Sequence, residues 1–433
     1  VSGTVKKLFS HLRMDLGPLR SSRDFRLLFG SGLIGMFGSF LSMIVLPLQM
    51  KDLTGDYVAV GLMALAEFVP MVVCGLWGGA IADALDRRTI VLWTEVGLML
   101  SIGALLVNAL LPDPQIWVLY TMGALTAGLG SLQRPSLESL MPQVVPHDQL
   151  AAAAAISSFR WNLGAIVSPA LAGVIFAVYG AATAYAVNIA TYLISLALLW
   201  MIRARPPAED TAPASIKTMI EGVRYAVGRK DLMGTYLVDI AAMIFAFSTA
   251  LYPFIADHFG GPQTTGLLMS ASAVGSLIAS VTSGWTGRVH RHGLGVIVAA
   301  TVWGVAVVLA ALMPSLWLLL ACLALAGAAD MISGIFRATI WNQTIPNELR
   351  GRLAGIELLS YMTGPMLGNA RAGFMASSLG GWRVSLGAGG ALCVLAVVAL
   401  AAKLPSFRTY DARTDEHALR EKARRAADQP VTA

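Results

Sequence analysis

The chain has 433 residues, 56% of them hydrophobic and only 13% charged, where water-soluble domains carry about a quarter charged residues. Its apolar residues come in blocks of about 20, the length that crosses roughly 30 Å of hydrocarbon. A polytopic helical membrane protein is therefore expected, and the alternating ten-residue strands of a transmembrane β-barrel are missing.

In chain order the first half is predicted to span the membrane at 27–50, 57–82, 90–111, 115–135, 151–177 and 181–202. The second half follows at 232–256, 264–287, 294–313, 315–338, 353–376 and 382–402. Short turns such as Pro112-Asp113-Pro114, Gly260-Gly261-Pro262 and Gly380-Gly381 join several of them. The expected fold is all-α, with twelve transmembrane helices in two pseudo-symmetric six-helix bundles. Residues 1–26 form an N-terminal segment, 27–202 the first bundle, 203–231 a linker, 232–402 the second bundle and 403–433 a tail. The linker holds Pro206, Pro207 and Pro213 before a polar amphipathic stretch.

A net charge of +6 does not imply a nucleic-acid partner, because the bases follow membrane sidedness. Apart from Lys51 and Arg383, nearly all Lys and Arg fall in alternate connections, including Arg87, Arg88, Arg203, Arg288 and Arg350. This asymmetry places both termini in the cytoplasm. The first 25 residues are too polar and basic for a cleaved signal peptide, so the first span is expected to direct insertion. Cys74, Cys322 and Cys393 sit in apolar runs, with no disulfide or metal spacing.

The halves also resemble each other. Gly61, Leu62 and Gly79 recur 205 residues later as Gly266, Leu267 and Gly284. Pro146, Ala154, Gly164, Ala172 and Gly173 recur 200 residues later as Pro346, Ala354, Gly364, Ala372 and Gly373. Related halves with a substrate site between them are the architecture of alternating access.

Between the second and third spans lies Gly79-Ala80-Ile81-Ala82-Asp83-Ala84-Leu85-Asp86-Arg87-Arg88. Glycines allow close helix approach, Asp83 suits a helix N-terminus, and Arg87 and Arg88 can pair with the acid or with lipid headgroups. The loop resembles the one between helices two and three of the major facilitator superfamily. That resemblance implies a conformational latch made by Gly79, Asp83, Arg87 and Arg88. In the second half the counterpart, Gly284 to Arg288, carries a base where the acid would be.

The fifth span contains Gly164-Ala165-Ile166-Val167-Ser168-Pro169-Ala170-Leu171-Ala172-Gly173. Small residues around a proline permit a bend and tight packing. The run is similar to the antiporter signature of exporters in the superfamily, with Ser168 and Ala172 where glycines are usual. Gly164, Ser168, Pro169, Ala172 and Gly173 are its expected working positions.

Ionisable residues inside a membrane are costly and are functional candidates. Glu67, Asp330 and Asp239 are the candidates for proton coupling, and a structural pairing of Glu67 with Arg160 or Arg371 is the alternative. Arg160, Trp161, Asn162, Tyr361, Asn369 and Arg371 are candidates for lining a substrate cavity. Arg134 lies at the end of the fourth span, not near its middle as is common in proton antiporters, which directs attention to Glu67. No Gly-Lys-Ser/Thr phosphate loop, His-Glu-x-x-His or Gly-x-Ser-x-Gly occurs, so no enzyme, cofactor or metal site is expected.

Over most of its length the chain resembles the enterobactin exporter and macrolide efflux branch of the superfamily. Asn108-Ala109-Leu110-Leu111-Pro112-Asp113-Pro114, Leu251-Tyr252-Pro253-Phe254-Ile255-Ala256-Asp257 and Ile345-Pro346-Asn347-Glu348-Leu349-Arg350-Gly351-Arg352 carry that resemblance. It implies a monomeric, proton-driven exporter of a siderophore or similar small amphipathic molecule across a bacterial inner membrane. A broad multidrug or macrolide pump is the alternative within the branch. An importer or a non-transporting receptor is the alternative outside it.

Overall fold

The computed structural model describes residues 15–84, 86–203, 224–225 and 228–427, the side chains of 76–84, 347–362 and 426–427 excepted. Among the described residues all regular structure is helical. The first half holds α1 (Arg23–Thr54), α2 (Tyr57–Ala84), α3 (Arg87–Ala109) and α4 (Ile116–Val144). The long helix Leu150–Trp200 then bends at Gly180 (φ 77°, ψ 179°) into α5, 150–179, and α6, 181–200. The second half holds α7 (Lys230–Ala246), the short α8 (Tyr252–Phe259), α9 (Gln263–Val281), α10 (His292–Leu312), α11 (Leu316–Thr344), α12 (Asn347–Leu379) and α13 (Trp382–Lys403). A polar helix, α14 (Glu416–Ala427), follows. Nine described segments are long and apolar enough to cross a membrane, with α5 and α6 counted together.

Local chemistry sets the ends of the helices. Ser22 Oγ accepts from Phe25 N at 3.1 Å and caps α1. Asp86 does the same for α3, taking both the N–H and the hydroxyl of Thr89. Gly180 and Gly380, 200 positions apart, both have positive φ (77° and 90°) and turn the chain at the same point of each half. That left-handed backbone is open to glycine at little cost.

The fold departs from the predicted spans in three places. Span 115–135 continues to Val144 despite Pro135 and Pro142. Span 264–287 ends as an α-helix at Val281, before a 3-10 stretch Ser283–Arg288. Span 232–256 breaks after Ala246, and α8 restarts at Tyr252. Pro253 explains that restart: a residue without an N–H fits the first turn of a helix and not its interior.

Each half has its own core. Leu41, Ile44, Ile102, Leu119 and Tyr185 anchor the first, and Leu232, Val296, Ala306, Leu319 and Cys393 the second. Buried polar pairs join α1 to α6: Ser31 with Ser195 at 3.0 Å, Asn188 to Ser42 at 2.6 Å, Tyr185 to Gln49 at 2.7 Å. Such interhelical bonds contribute on the order of 0.6 kcal/mol each in a bilayer. The tail completes the second half. The Phe407 ring, fully buried, fills the space over Gly234, while its carbonyl lies against Gly293. Tyr410 donates to Gln343 at 3.2 Å, and Arg425 to the Asn342 carbonyl at 2.8 Å.

Candidate functional site

The halves meet through two helix crossings, α2 on α12 and α5 on α9. At the first, a Cβ built on Gly61 would lie 3.1 Å from Gly373 Cα. At the second, a Cβ on Gly266 would lie 2.1 Å from the Pro169 carbonyl oxygen, and one on Gly173 3.1 Å from Gly266 N. Ser270 Oγ donates to the Ile166 carbonyl at 2.6 Å across the same crossing. Lys51 Nζ meets Asp257 at 2.6 Å, and the Tyr57 and Phe254 rings are 4.0 Å apart. Apart from the Ser270 bond, which meets the middle of α5, these contacts lie towards the end of the bundle opposite the first residues of α1 and the tail, and they close it.

The small-residue run of α5 thus serves two neighbours. Gly164 makes room for Met36 of α1, whose Cε would be 1.7 Å from a Cβ there. Ser168, Pro169, Ala172 and Gly173 are all buried, and Pro169 and Gly173 touch α9 directly. Of the loop residues, Gly79 and Asp83 have side-chain positions outside the described residues. Arg88 Nη2 donates to the Trp200 carbonyl at the end of α6, at 2.5 Å, and Arg87 opens α3.

Glu67 lies about 9 Å from Gly61 along α2, towards the terminus end. Its carboxylate faces α4, where a Cβ on Gly123 would be 3.1 Å from Oε1. Pro70 and Cys74 continue the same face against Gly128. Neither Arg160 nor Arg371 reaches Glu67 among the described residues. Arg160 donates to the Phe29 carbonyl at 3.3 Å, lies over the Phe29 ring and fills the notch at Gly32. Arg371 donates to the Phe247 and Ser385 carbonyls and to Ser248 Oγ.

In the second half Arg337 Nη1 pairs with Asp239 Oδ1 at 2.5 Å, their side chains 11% and 7% exposed. Asp330 sits two turns away on the same face of α11, within electrostatic reach of both. Below them Trp341 donates to Thr235 at 2.8 Å and stacks on Tyr236, so α7 and α11 face each other through polar and aromatic groups. One guanidinium therefore stands among two carboxylates.

The remaining cavity candidates divide. Trp161 is half exposed, its ring 6.1 Å from Phe40. Asn162 bonds back to Ser158 of its own helix. Asn369 Oδ1 accepts from Ala250 N at 2.9 Å and from Thr249 Oγ1 at 3.1 Å, so with Arg371 it clasps the break between α7 and α8. Tyr361 has its side chain outside the described residues. Sequence reasoning did not select Glu95, which is buried on α3 with Gln133 Nε2 at 2.6 Å and Ser195 nearby. The sequence signal for it was an acid inside an apolar run.

The profile of the transmembrane secretion effector family matches residues 14–429. Curated relatives include the enterobactin exporter EntS of Escherichia coli O1:K1 / APEC, 27% identical over 362 residues, 83% of this chain and 87% of the relative. EntS of Citrobacter koseri is 28% identical over 363 residues, with the same coverage. Similar solved structures include a bacterial homologue of the iron transporter ferroportin in an inward-facing state (TM-score 0.70, 16% identity, 89% of this chain and 99% of that one). The nucleoside transporter NupG is also similar (TM-score 0.70, 14% identity, 88% and 98%). At these identities the solved structures establish the fold alone. This chain belongs to the transmembrane secretion effector family of major facilitator transporters, and it is a membrane transport protein, not an enzyme.

Proposed function

We propose that this transporter is a proton-coupled secondary exporter of a siderophore-like or similar small amphipathic compound. In this reading it moves its substrate out through a bacterial inner membrane by alternating access. The observation that carries the reading is the closure of one end by two glycine crossings that the internal repeat relates to each other, with acids inside the helices of both halves. Exporters among the relatives at 27–28% identity favour outward transport.

The reading has twelve crossings, bundles at 27–202 and 232–402 joined by the linker 203–231, and a monomer as the working unit. Both termini face the cytoplasm, following the distribution of Arg and Lys, so the closed end faces outward. Glu67 is the leading proton carrier, because it has no cation beside it among the described residues. Asp330 and Asp239 form the second acid site: two carboxylates around one guanidinium carry an excess negative charge that a proton can cancel. Gly79, Asp83, Arg87 and Arg88 are assigned to the latch between conformations. Trp161 is the aromatic group best placed to meet substrate.

The test uses full-length protein in liposomes with an imposed pH gradient, offered an iron-free catecholate siderophore, a macrolide and a lipophilic cationic dye. Gradient-dependent movement of the siderophore alone supports the reading. Movement of drug and dye makes this a multidrug pump, and movement of none overturns proton-coupled efflux.

A further inference from the structure

The lipid-facing flank of the first half has a groove of about 590 Å³ between α3 and α6. Leu92, Val96, Leu193, Leu196 and Ala197 line it together with Trp93 and Trp200. Both tryptophans are more than two-thirds exposed, at 73% and 71%, and amphipathic rings of this kind settle at the level of lipid headgroups. The groove lies at the terminus-side end of the bundle, where α3 begins and α6 stops.

Cations gather at its mouth. Arg88 reaches the Trp200 carbonyl through Nη2, while its Nε is buried without a partner. Arg87 precedes it on α3. Asp86, two residues before Arg88, is engaged in capping α3 through Thr89. An apolar channel with a guanidinium at its polar end matches a molecule with one hydrocarbon chain and one phosphate, since Arg binds phosphate through paired donors.

We propose that this groove holds one anionic phospholipid of the surrounding bilayer. Its acyl chain lies along Leu92, Leu193 and Leu196, and its phosphate lies on Arg88. The site is separate from the acids assigned to transport and does not depend on the direction of transport. It makes Arg88 a shared ligand: the same residue that ends α6 also reads the charge of the leaflet beside the α2–α3 loop.

The experiment is native mass spectrometry of the delipidated full-length protein mixed with dioleoylphosphatidylglycerol or dioleoylphosphatidylcholine. Three variants accompany the wild type. Ala197→Phe fills the groove without changing charge, Arg88→Gln removes the cation, and Arg383→Gln removes an exposed arginine at the opposite end. The expected result is one retained phosphatidylglycerol, favoured over phosphatidylcholine by about fivefold, near the factor that one interfacial arginine supplies against anionic lipid. That retention falls to the phosphatidylcholine level in Ala197→Phe and Arg88→Gln and persists in Arg383→Gln. Equal retention of both lipids, or phosphatidylglycerol retention unchanged by Ala197→Phe, would mean ordinary boundary lipid and overturn the proposal. If Arg88→Gln does not fold, Ala197→Phe decides the question.

Discussion

Gly373 stands so close to Gly61 that a methyl group added to Gly373 would lie 2.9 Å from Gly61 Cα and 2.5 Å from the Tyr57 carbonyl oxygen. The repeat sends Gly61 to Gly266 and Gly173 to Gly373, and Gly173 and Gly266 form the other crossing. One closure is thus built twice, with the roles of the halves exchanged. Gly373→Val should disfavour the closed end by about 1–3 kcal/mol, a roughly 5–150-fold change in the equilibrium. The check is labelling of a single cysteine placed at Lys51: its rate should rise while the protein still purifies as a monodisperse species, and an unchanged rate would refute the role of the crossing.

The Lys51–Asp257 bridge crosses the same closed end but is half exposed on the Asp side. Exposed pairs of this kind contribute roughly 0–1 kcal/mol, so Lys51→Ala should change transport little. Tying the positions together is different. Cysteines at 51 and 257 joined by a short thiol-reactive linker should stop turnover, and a cleavable linker should restore it on reduction. Turnover with the link intact would show that this end need not open.

Glu67→Gln should abolish gradient-driven accumulation, a loss of tenfold or more, while leaving exchange of substrate between equal pools measurable. A variant that still accumulates substrate against a gradient would remove Glu67 from coupling. Gly123→Val tests the same site from α4, since the added carbons would displace the carboxylate.

Breaking the Asp239–Arg337 pair from one side leaves a buried unmatched charge, at a cost of about 3–5 kcal/mol. Arg337→Met should therefore lower the melting temperature clearly, and the double change Arg337→Met with Asp239→Leu should recover much of it. Transport should stay lost in the double variant if the pair serves coupling. Recovery of both would make the pair purely structural.

Phe407→Ala would empty the space over Gly234. A buried Phe-to-Ala change costs about 3–5 kcal/mol, so thermal unfolding of the second half should come at markedly lower temperature. Equal stability would show that the tail is an appendage.

Much of the fold was legible from the sequence because hydrocarbon imposes a simple rule: about 20 apolar residues, then a turn. The repeat of Gly61 and Gly173 in the second half was legible for a related reason, since close helix approach admits few residue types. The partners were not. Nothing in the sequence says that Asn369 and Arg371 face the backbone of a broken α7, because a polar group in an apolar run looks the same whether it meets substrate or an unbonded carbonyl. Arg160 was hidden likewise: its notch, Gly32, lies 128 residues earlier. The α7 break itself was readable in Pro253, but hydropathy across 247–251 stays high enough to mask it.

That break has a mechanical consequence. Thr249 and Ala250 hang from Asn369, and Phe247 and Ser248 from Arg371, so the stem of α8 is bonded to α12 more than to α7. The far side of α8 carries Phe254 and Asp257 against the first half. The stem 247–251 is therefore fixed to α12, while α8 itself packs on α9. If α12 swings away from α2, as the proposed function requires, this stem goes with it and pulls Phe254 and Asp257 off the first half.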